Sequence, residues 1–497
     1  MPIRNKNIIF FLFLIFSNLI FAQAVKQPNY KYYSAVSILQ EQINEILQDI
    51  NFANSNIGIY VKSLDNGDIL YLYNKDKLFH LASCTKFFTS VAAFEYLGDK
   101  FQYNTEVYYD GKLLNSILKG NLYIVGSGDP TLKTQITQNK TIYDIFWDSL
   151  DYNDITEITG NIIADDSYFD NKYYPESWLF DYENKWFSPP SSALSLDNNL
   201  ANLIVIPTRQ DQKAKVVTEP SNVYLSIINN VKTISGKSNN ITTKRLRASN
   251  VIVLNGTIGQ YSDSLYYQIP INNPTQSFVV NLRDKLIKSG IKIKGNATNI
   301  TDENLNPDYD KLELLFTIKS SPLYNILREM NKNSDNFIAE QVLKTIGAEI
   351  VSSGSTDAGL HVINELITKA GISSNNISLK DGSGLSPYSM ATPFAVVDFL
   401  SYVSKQEYFD KFLSTLPIMG IDGTLIDRMK GYSYKGKIIA KPGFSYGTNT
   451  LAGYIITNEG EKLAFAILIN NFLGYNLLAT KLQDEICFKL VNFSRKY

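Results

Sequence analysis

At 497 residues the chain is too long for one small core and is expected to divide into two or three domains. With 44% hydrophobic and 19% charged residues and a net charge of −1 it has a globular composition, and no basic block points to nucleic acid. Two cysteines (Cys84, Cys487) and two histidines (His80, His361) exclude a disulfide framework, offer no metal-ligand spacing and leave little from which to build a Ser-His-Asp site.

The chain opens like an export signal. Arg4 and Lys6 form a short basic region, Ile8 to Phe16 is an almost unbroken apolar run, and Ala22-Gln23-Ala24 fits a small-residue cleavage site. The run is broken by Ser17-Asn18 and is short for a membrane span, so residues 1–24 are expected to be cleaved and the mature protein to work outside the cytoplasm. No second apolar span follows; at most a loose membrane association is expected.

Val36 to Ile50 reads as an amphipathic helix, and Ile57 to Val61 and Ile69 to Tyr73 as two strands joined by Asp65-Asn66-Gly67-Asp68, a strong hairpin signal. Then comes Leu81-Ala82-Ser83-Cys84-Thr85-Lys86-Phe87-Phe88, a Ser-x-x-Lys spacing at the start of a helix that Gly98 stops. If the helix begins at Ser83, residues i and i+3 share a face, which sets the Ser83 hydroxyl beside the Lys86 ammonium. A serine is a poor nucleophile unless a base takes its proton, and a lysine serves as that base when burial and nearby positive charge lower its pKa. The helix start also supplies free N–H groups for an oxyanion. Cys84 turns onto another face and is read as a packed residue, as is Cys487 in its apolar helical stripe.

From about Phe101 to Ile271 short strand-like runs such as Leu122–Val125 and Val251–Leu254 alternate with polar turns, and long helices are scarce. Gly126-Ser127-Gly128-Asp129-Pro130 is a turn and not a phosphate loop, since no Gly-Lys-Ser/Thr follows it. Helices return at Thr275–Ser289, Ser334–Ile346 and Thr356–Ala370, followed by strands at Lys437–Lys441, Leu451–Thr457 and Leu463–Ile469 and a last helix at Leu477–Phe493. Two strands at the start and three at the finish predict one antiparallel sheet built from both chain ends. The expected division is 25–92 with 275–497 as the catalytic domain and 93–274 as a β-rich insertion, itself interrupted near 205–250.

Ser334-Asp335-Asn336 opens a helix, and Lys441-Pro442-Gly443 ends a strand. With Ser83-x-x-Lys86 and in this order, they resemble the Ser-x-x-Lys, Ser-x-Asn and Lys-Thr-Gly triplet of penicillin-binding proteins and serine β-lactamases. Gly128-Asp129-Pro130-Thr131-Leu132, Ala193-Leu194-Ser195-Leu196, Asp381-Gly382-Ser383-Gly384-Leu385 and Gly420-Ile421-Asp422-Gly423-Thr424-Leu425 narrow the resemblance to one branch. That branch is the class C low-molecular-mass penicillin-binding proteins, the D-alanyl-D-alanine carboxypeptidase/endopeptidase family. The resemblance covers nearly the whole mature chain, large insertion included.

The resemblance implies an α+β fold, a transpeptidase-like domain of antiparallel sheet and helices with inserted β-rich domains. It implies Ser83 as acylated nucleophile, Lys86 as its base, and Ser334 as relay of the proton to the leaving amine. Asn336 would hold the substrate amide, and Lys441 would face the substrate carboxylate. The N–H groups of Ser83 and Phe444 would form the oxyanion hole beside Gly443. No cofactor is implied; the partners are peptidoglycan stem peptides, with β-lactams as inhibitors, in the periplasm or cell envelope. The Asp-Gly-Ser-Gly and Asp-Gly-Thr segments are expected to be structural loops near the site. Three positions depart from the family pattern: Pro442 stands for Thr or Ser, Phe444 for a small hydroxyl residue, and Leu81 for a common proline. Two rival readings share these residues: a serine β-lactamase, with fast deacylation, and a catalytically weakened peptidoglycan-binding protein.

Overall fold

A computed structural model of the protein describes residues 34–431 and 434–496. The expected export signal at 1–24 lies outside the described residues.

The two ends of the chain meet in one antiparallel sheet of five strands. Strands β1 (Asn56–Ser63), β2 (Ile69–Tyr73), β3 (Ile438–Ser445), β4 (Thr448–Ile456) and β5 (Lys462–Asn470) lie in the order β2-β1-β5-β4-β3. The β1–β2 hairpin turns where Gly67 takes φ +83° and Asn66 Oδ1 accepts the Asp68 N–H at 3.0 Å. Strand β5 shows why the sheet is central. Its residues from Leu463 to Asn470 are all buried, and the two-residue period sends them to two different cores. Leu463, Phe465, Ile467 and Ile469 join one core with the helices α1 (Ala35–Ile46) and, at the chain end, Asn476–Val491. Ala464, Ala466 and Leu468 join the other core, against α2 (Lys86–Tyr96), α3 (Leu323–Asn333), α4 (Asn336–Val351) and α5 (Pro393–Val403). The chain-end helix Asn476–Val491 is α6.

The helix expected to start at Ser83 begins as a 3₁₀ turn over Ala82–Thr85 and becomes α-helical only at Lys86. Ala82 sits at φ +46°. Two glycine backbones pass close to this turn: a Cβ on Gly384 would lie 1.8 Å from the Ala82 carbonyl oxygen, and one on Gly443 2.8 Å from the Ser83 nitrogen.

The inserted region leaves after α2 and returns later than the expected boundary at 275. Residues 313–319 pair with 104–109, and 297–299 with 162–164, in a mixed five-stranded sheet. Helix Pro274–Lys288 buries Phe278, Val279, Leu282 and Leu286 in the same core as Phe146 and Leu150 of a helix at Ile142–Tyr152. Helical periodicity marks the apolar face of 274–288 but not the surface it covers, so the insertion closes near residue 320. The nested part is likewise wider than 205–250. Strands from Leu200–Ile206 to Leu265–Pro270 enclose a core of Leu203, Val205, Val231, Ile252, Leu254 and Ile258.

Candidate active site

Ser83 is the one residue of 81–88 that is not buried. Its hydroxyl lies 3.3 Å from Lys86 Nζ, the neighbour that the i, i+3 spacing places on its side of the turn. Lys86 is fully buried, and its ammonium also donates to Asn336 Oδ1 at 2.7 Å and to the Ser383 carbonyl at 2.8 Å. Loss of water brings the Lys86 pKa down to about 8, while the charges of Asp381, Glu340 and Asp335 pull it back. Cys84 points away, its Sγ donating to the Lys441 carbonyl at 3.2 Å, and burial pushes its thiol up. Burial lowers the His80 pKa, and its Nε2 donates to the Ser386 carbonyl at 3.0 Å. It is a packed side chain and no partner of Ser83.

Ser334 and Asn336 occupy the break between α3 and α4. Ser334 sits at φ +59°, the left-handed region that a non-glycine residue adopts at a cost, and Asp335 caps α4 by accepting the Ile338 N–H at 3.0 Å. The break aims both side chains at the cleft. Asn336 Oδ1 accepts a hydrogen bond from Lys86 Nζ and its Nδ2 donates to the Phe187 carbonyl at 2.8 Å, so the inserted region forms one wall. Ser334 Oγ accepts from Lys441 Nζ at 2.8 Å. Ser334, Asn336, Trp186, Phe187 and Asn198 line a cavity of about 400 Å³.

Lys441, Pro442, Gly443 and Phe444 lie on β3, the edge of the sheet. Lys441 is fully buried; burial first, and the Lys86 charge second, hold its pKa well below the usual lysine range. Gly443 lies flat against the nucleophile turn, where a Cβ would meet Thr450 Oγ1 at 2.4 Å and Leu81 O at 2.8 Å. The Ala440 N–H donates outward, to the Pro417 carbonyl at 3.0 Å. With a two-residue period, positions 442 and 444 face that same outer side. Proline at 442 therefore removes no hydrogen bond of the sheet. The Phe444 side chain is 63% exposed at the rim.

Of the seven residues singled out in the sequence, Ser83, Lys86 and Asn336 meet at Lys86 Nζ, Ser334 and Lys441 are hydrogen-bonded to each other, Gly443 lies against the Ser83 turn, and Phe444 follows it on β3, exposed. Three groups that hold them there were not singled out: the Ser383 carbonyl, the Phe187 carbonyl and the Glu340 carboxylate. Two of these are backbone atoms, which no residue pattern announces. Glu340 is spaced one helical turn from Asn336, and that i, i+4 relation is the signal that could have found it. The Asp-Gly-Thr loop is structural: Asp422 takes Lys332 Nζ at 2.7 and 2.6 Å and the Ile418 N–H at 2.9 Å.

Comparison with known proteins places the chain in a family. A family described as the D-Ala-D-Ala carboxypeptidase 3 (S13) family matches residues 39–488. The D-alanyl-D-alanine carboxypeptidase of Actinomadura sp. (strain R39) is 28% identical over 468 residues, 92% of this chain and 85% of its own. The crystal structure of penicillin binding protein 4 (dacB) from Haemophilus influenzae superposes with a TM-score of 0.79 at 26% identity, over 90% of this chain and 99% of that one. A structure of that protein complexed with a β-lactam gives a TM-score of 0.74 at 24% identity, over 91% and 99% of the two chains.

Proposed function

The chain belongs to the D-Ala-D-Ala carboxypeptidase 3 (S13) family, and we propose that it works as a serine-type D-alanyl-D-alanine carboxypeptidase through an acyl-enzyme on Ser83. The observation that carries the reading is the Lys86 ammonium, buried, with its pKa brought down to about 8 and 3.3 Å from Ser83 Oγ. In its neutral form Lys86 takes the Ser83 proton as Oγ attacks the carbonyl between the two D-alanines. The N–H groups of Ser83 and Phe444 face the oxyanion that forms. The proton gained by Lys86 is relayed through Ser334, held by Lys441, to the leaving D-alanine amine, which leaves Lys86 neutral again, and Asn336 orients the substrate amide. Lys441 attracts the terminal carboxylate, whose arrival favours its charged form. Water then attacks the acyl carbonyl and frees Ser83, its proton returning through Lys86.

The substrate in this reading is the peptidoglycan stem peptide, and the same chemistry extends to the D-alanyl bond of a cross-link. A β-lactam offers Ser83 a strained amide and forms a lasting adduct. Residues 1–24 direct export to the periplasm or cell envelope. Among the described residues no helix is long and apolar enough to cross a membrane.

The test is labelling with a fluorescent penicillin together with D-alanine release from a peptide ending in D-Ala-D-Ala. The expected result is a stable adduct on the peptide containing Ser83, D-alanine release, and loss of both in Ser83→Ala. Fast turnover of the label without peptide hydrolysis would identify a serine β-lactamase. No adduct at all would leave a peptidoglycan-binding protein.

A further inference from the structure

Helix α4 holds the Lys86 ammonium twice, once directly and once through a loop. Asn336 and Glu340 stand one turn apart on the same face of α4. Asn336 Oδ1 accepts from Lys86 Nζ at 2.7 Å. Glu340 is fully buried, and its carboxylate accepts the N–H groups of Gly382 at 3.1 Å and Ser383 at 2.9 Å. The carbonyl of that same Ser383 accepts from Lys86 Nζ at 2.8 Å. On the far side of the loop the buried Asp381 gathers the N–H groups of Gly384 and Ser386 at 3.1 and 2.7 Å. It also takes Ser389 Oγ at 2.8 Å and the indole N–H of Trp178, from the inserted region, at 3.0 Å.

Two carboxylates side by side in a dry interior are an expensive way to close a loop. Glycines at 382 and 384 could turn this loop beside neutral side chains. A cluster of this kind is kept where charge or exact placement matters to a neighbour. That neighbour is Lys86. We propose that Glu340, backed by Asp381, is a positioning residue for Lys86: it fixes the Ser383 carbonyl as an acceptor for the ammonium, so that Nζ stays aimed at Ser83 Oγ. The inference rests on the reading of Lys86 as the base.

The charged and titratable groups around Lys86 are Asp381, Glu340, Asp335, Cys84 and Lys441. Burial pushes the Glu340 carboxyl up to about 8, helped by the Asp381 charge, so Glu340 and Lys86 titrate over the same range and their apparent values belong to the pair. The sign of the test follows. Negative charge on Glu340 favours the Lys86 ammonium, so removing it lowers the Lys86 pKa.

The experiment is the second-order rate of acylation by fluorescent penicillin, measured against pH for the full chain and for Glu340→Gln, Glu340→Ala and Asp381→Asn. In the parent the rate should climb through pH ~8 as Lys86 loses its proton. In Glu340→Gln the climb should move down by roughly one pH unit, with a plateau near that of the parent. Glu340→Ala, which also releases the loop, should lose on the order of 10- to 100-fold of the plateau. If the parent shows no such climb, the base assignment fails whatever Glu340 does. If the parent climbs but folded Glu340→Gln does not shift and folded Glu340→Ala keeps its plateau, the positioning role is overturned. Should Glu340→Ala not fold, the shift in Glu340→Gln and Asp381→Asn decides alone.

Discussion

At the scale of single residues, the cleft turns on how closely β3 can approach the nucleophile. A Cβ on Gly443 would sit 2.8 Å from both the Ser83 nitrogen and the Leu81 oxygen, and 2.4 Å from Thr450 Oγ1. Gly443→Ala should therefore push the strand off the Ser83 turn and cost roughly 10²-fold in penicillin acylation, with a fall in melting temperature of a few degrees from overpacking. Undiminished labelling would mean that the strand tolerates the displacement and that the oxyanion site lies elsewhere. Pro442 is the opposite case, a substitution the sheet does not notice. Its missing N–H faces the open edge, as the outward bond of Ala440 to Pro417 indicates. In the proposed reading, a threonine hydroxyl at this position would meet the substrate carboxylate. A hydrogen bond to a charged group contributes about 1.5–3 kcal/mol, so Pro442→Thr should raise kcat/KM on a peptide ending in D-Ala-D-Ala on the order of 10- to 100-fold, with little change in Tm. A variant that is no faster would show that this chain meets the carboxylate in another way.

At the scale of elements, the site depends on joints between pieces far apart in the chain. Lys332, in the last turn of α3, donates to both oxygens of Asp422 and to the Leu416 carbonyl at 2.6 Å. The loop carrying Asp422 also holds β3 from outside, through Met419 N–H to the Ile438 carbonyl at 2.9 Å and Ala440 N–H to the Pro417 carbonyl at 3.0 Å. Asp422→Ala leaves the buried Lys332 ammonium with one partner and loosens the loop together with the strand. Asp422 is one-third exposed, so the cost is set below that of a fully buried pair, at about 2 kcal/mol. A lowered Tm with slower acylation is the expected pair of results; a lowered Tm with normal acylation would separate the loop from the site. The segment was recognisable in the sequence, but Asp422 and Lys332 are 90 residues apart, and nothing local ties one to the other.

At the scale of the whole molecule, both ends of the chain are structural necessities for the sheet. Helix α6 packs on β4 and α1, and its Leu482, Ile486, Leu490 and Val491 share one core with Phe465, Ile467 and Ile469 of β5. Full burial of one such side chain contributes about 1.5–3 kcal/mol. The four together approach the ~5–15 kcal/mol that separates folded from unfolded domains. A chain truncated after residue 475 should be insoluble and unlabelled by penicillin, and a soluble, labelled truncation would show that the remaining sheet stands without its cover. The inserted region is tied in at the site itself, through Phe187 to Asn336, Trp178 to Asp381, and Asp170 to the buried Lys344 at 2.7 Å. It is part of the cleft wall as well as an excursion from the sheet.

What could be read along the chain is what depends on neighbours within a few residues. The Asp65–Asp68 turn follows from its residue types, and the shared face of Ser83 and Lys86 from the i, i+3 spacing. The order of the three motifs and the segments around them carried the family. Other features were decided only by packing: β3 as the edge strand, the 3₁₀ turn at Ser83, the return of the insertion near residue 320, and the grip of Glu340 and the Ser383 carbonyl on Lys86. Each joins groups that are distant in sequence, or uses backbone atoms that every residue possesses. A side-chain pattern cannot mark one carbonyl among hundreds; only the surface that folds against it does.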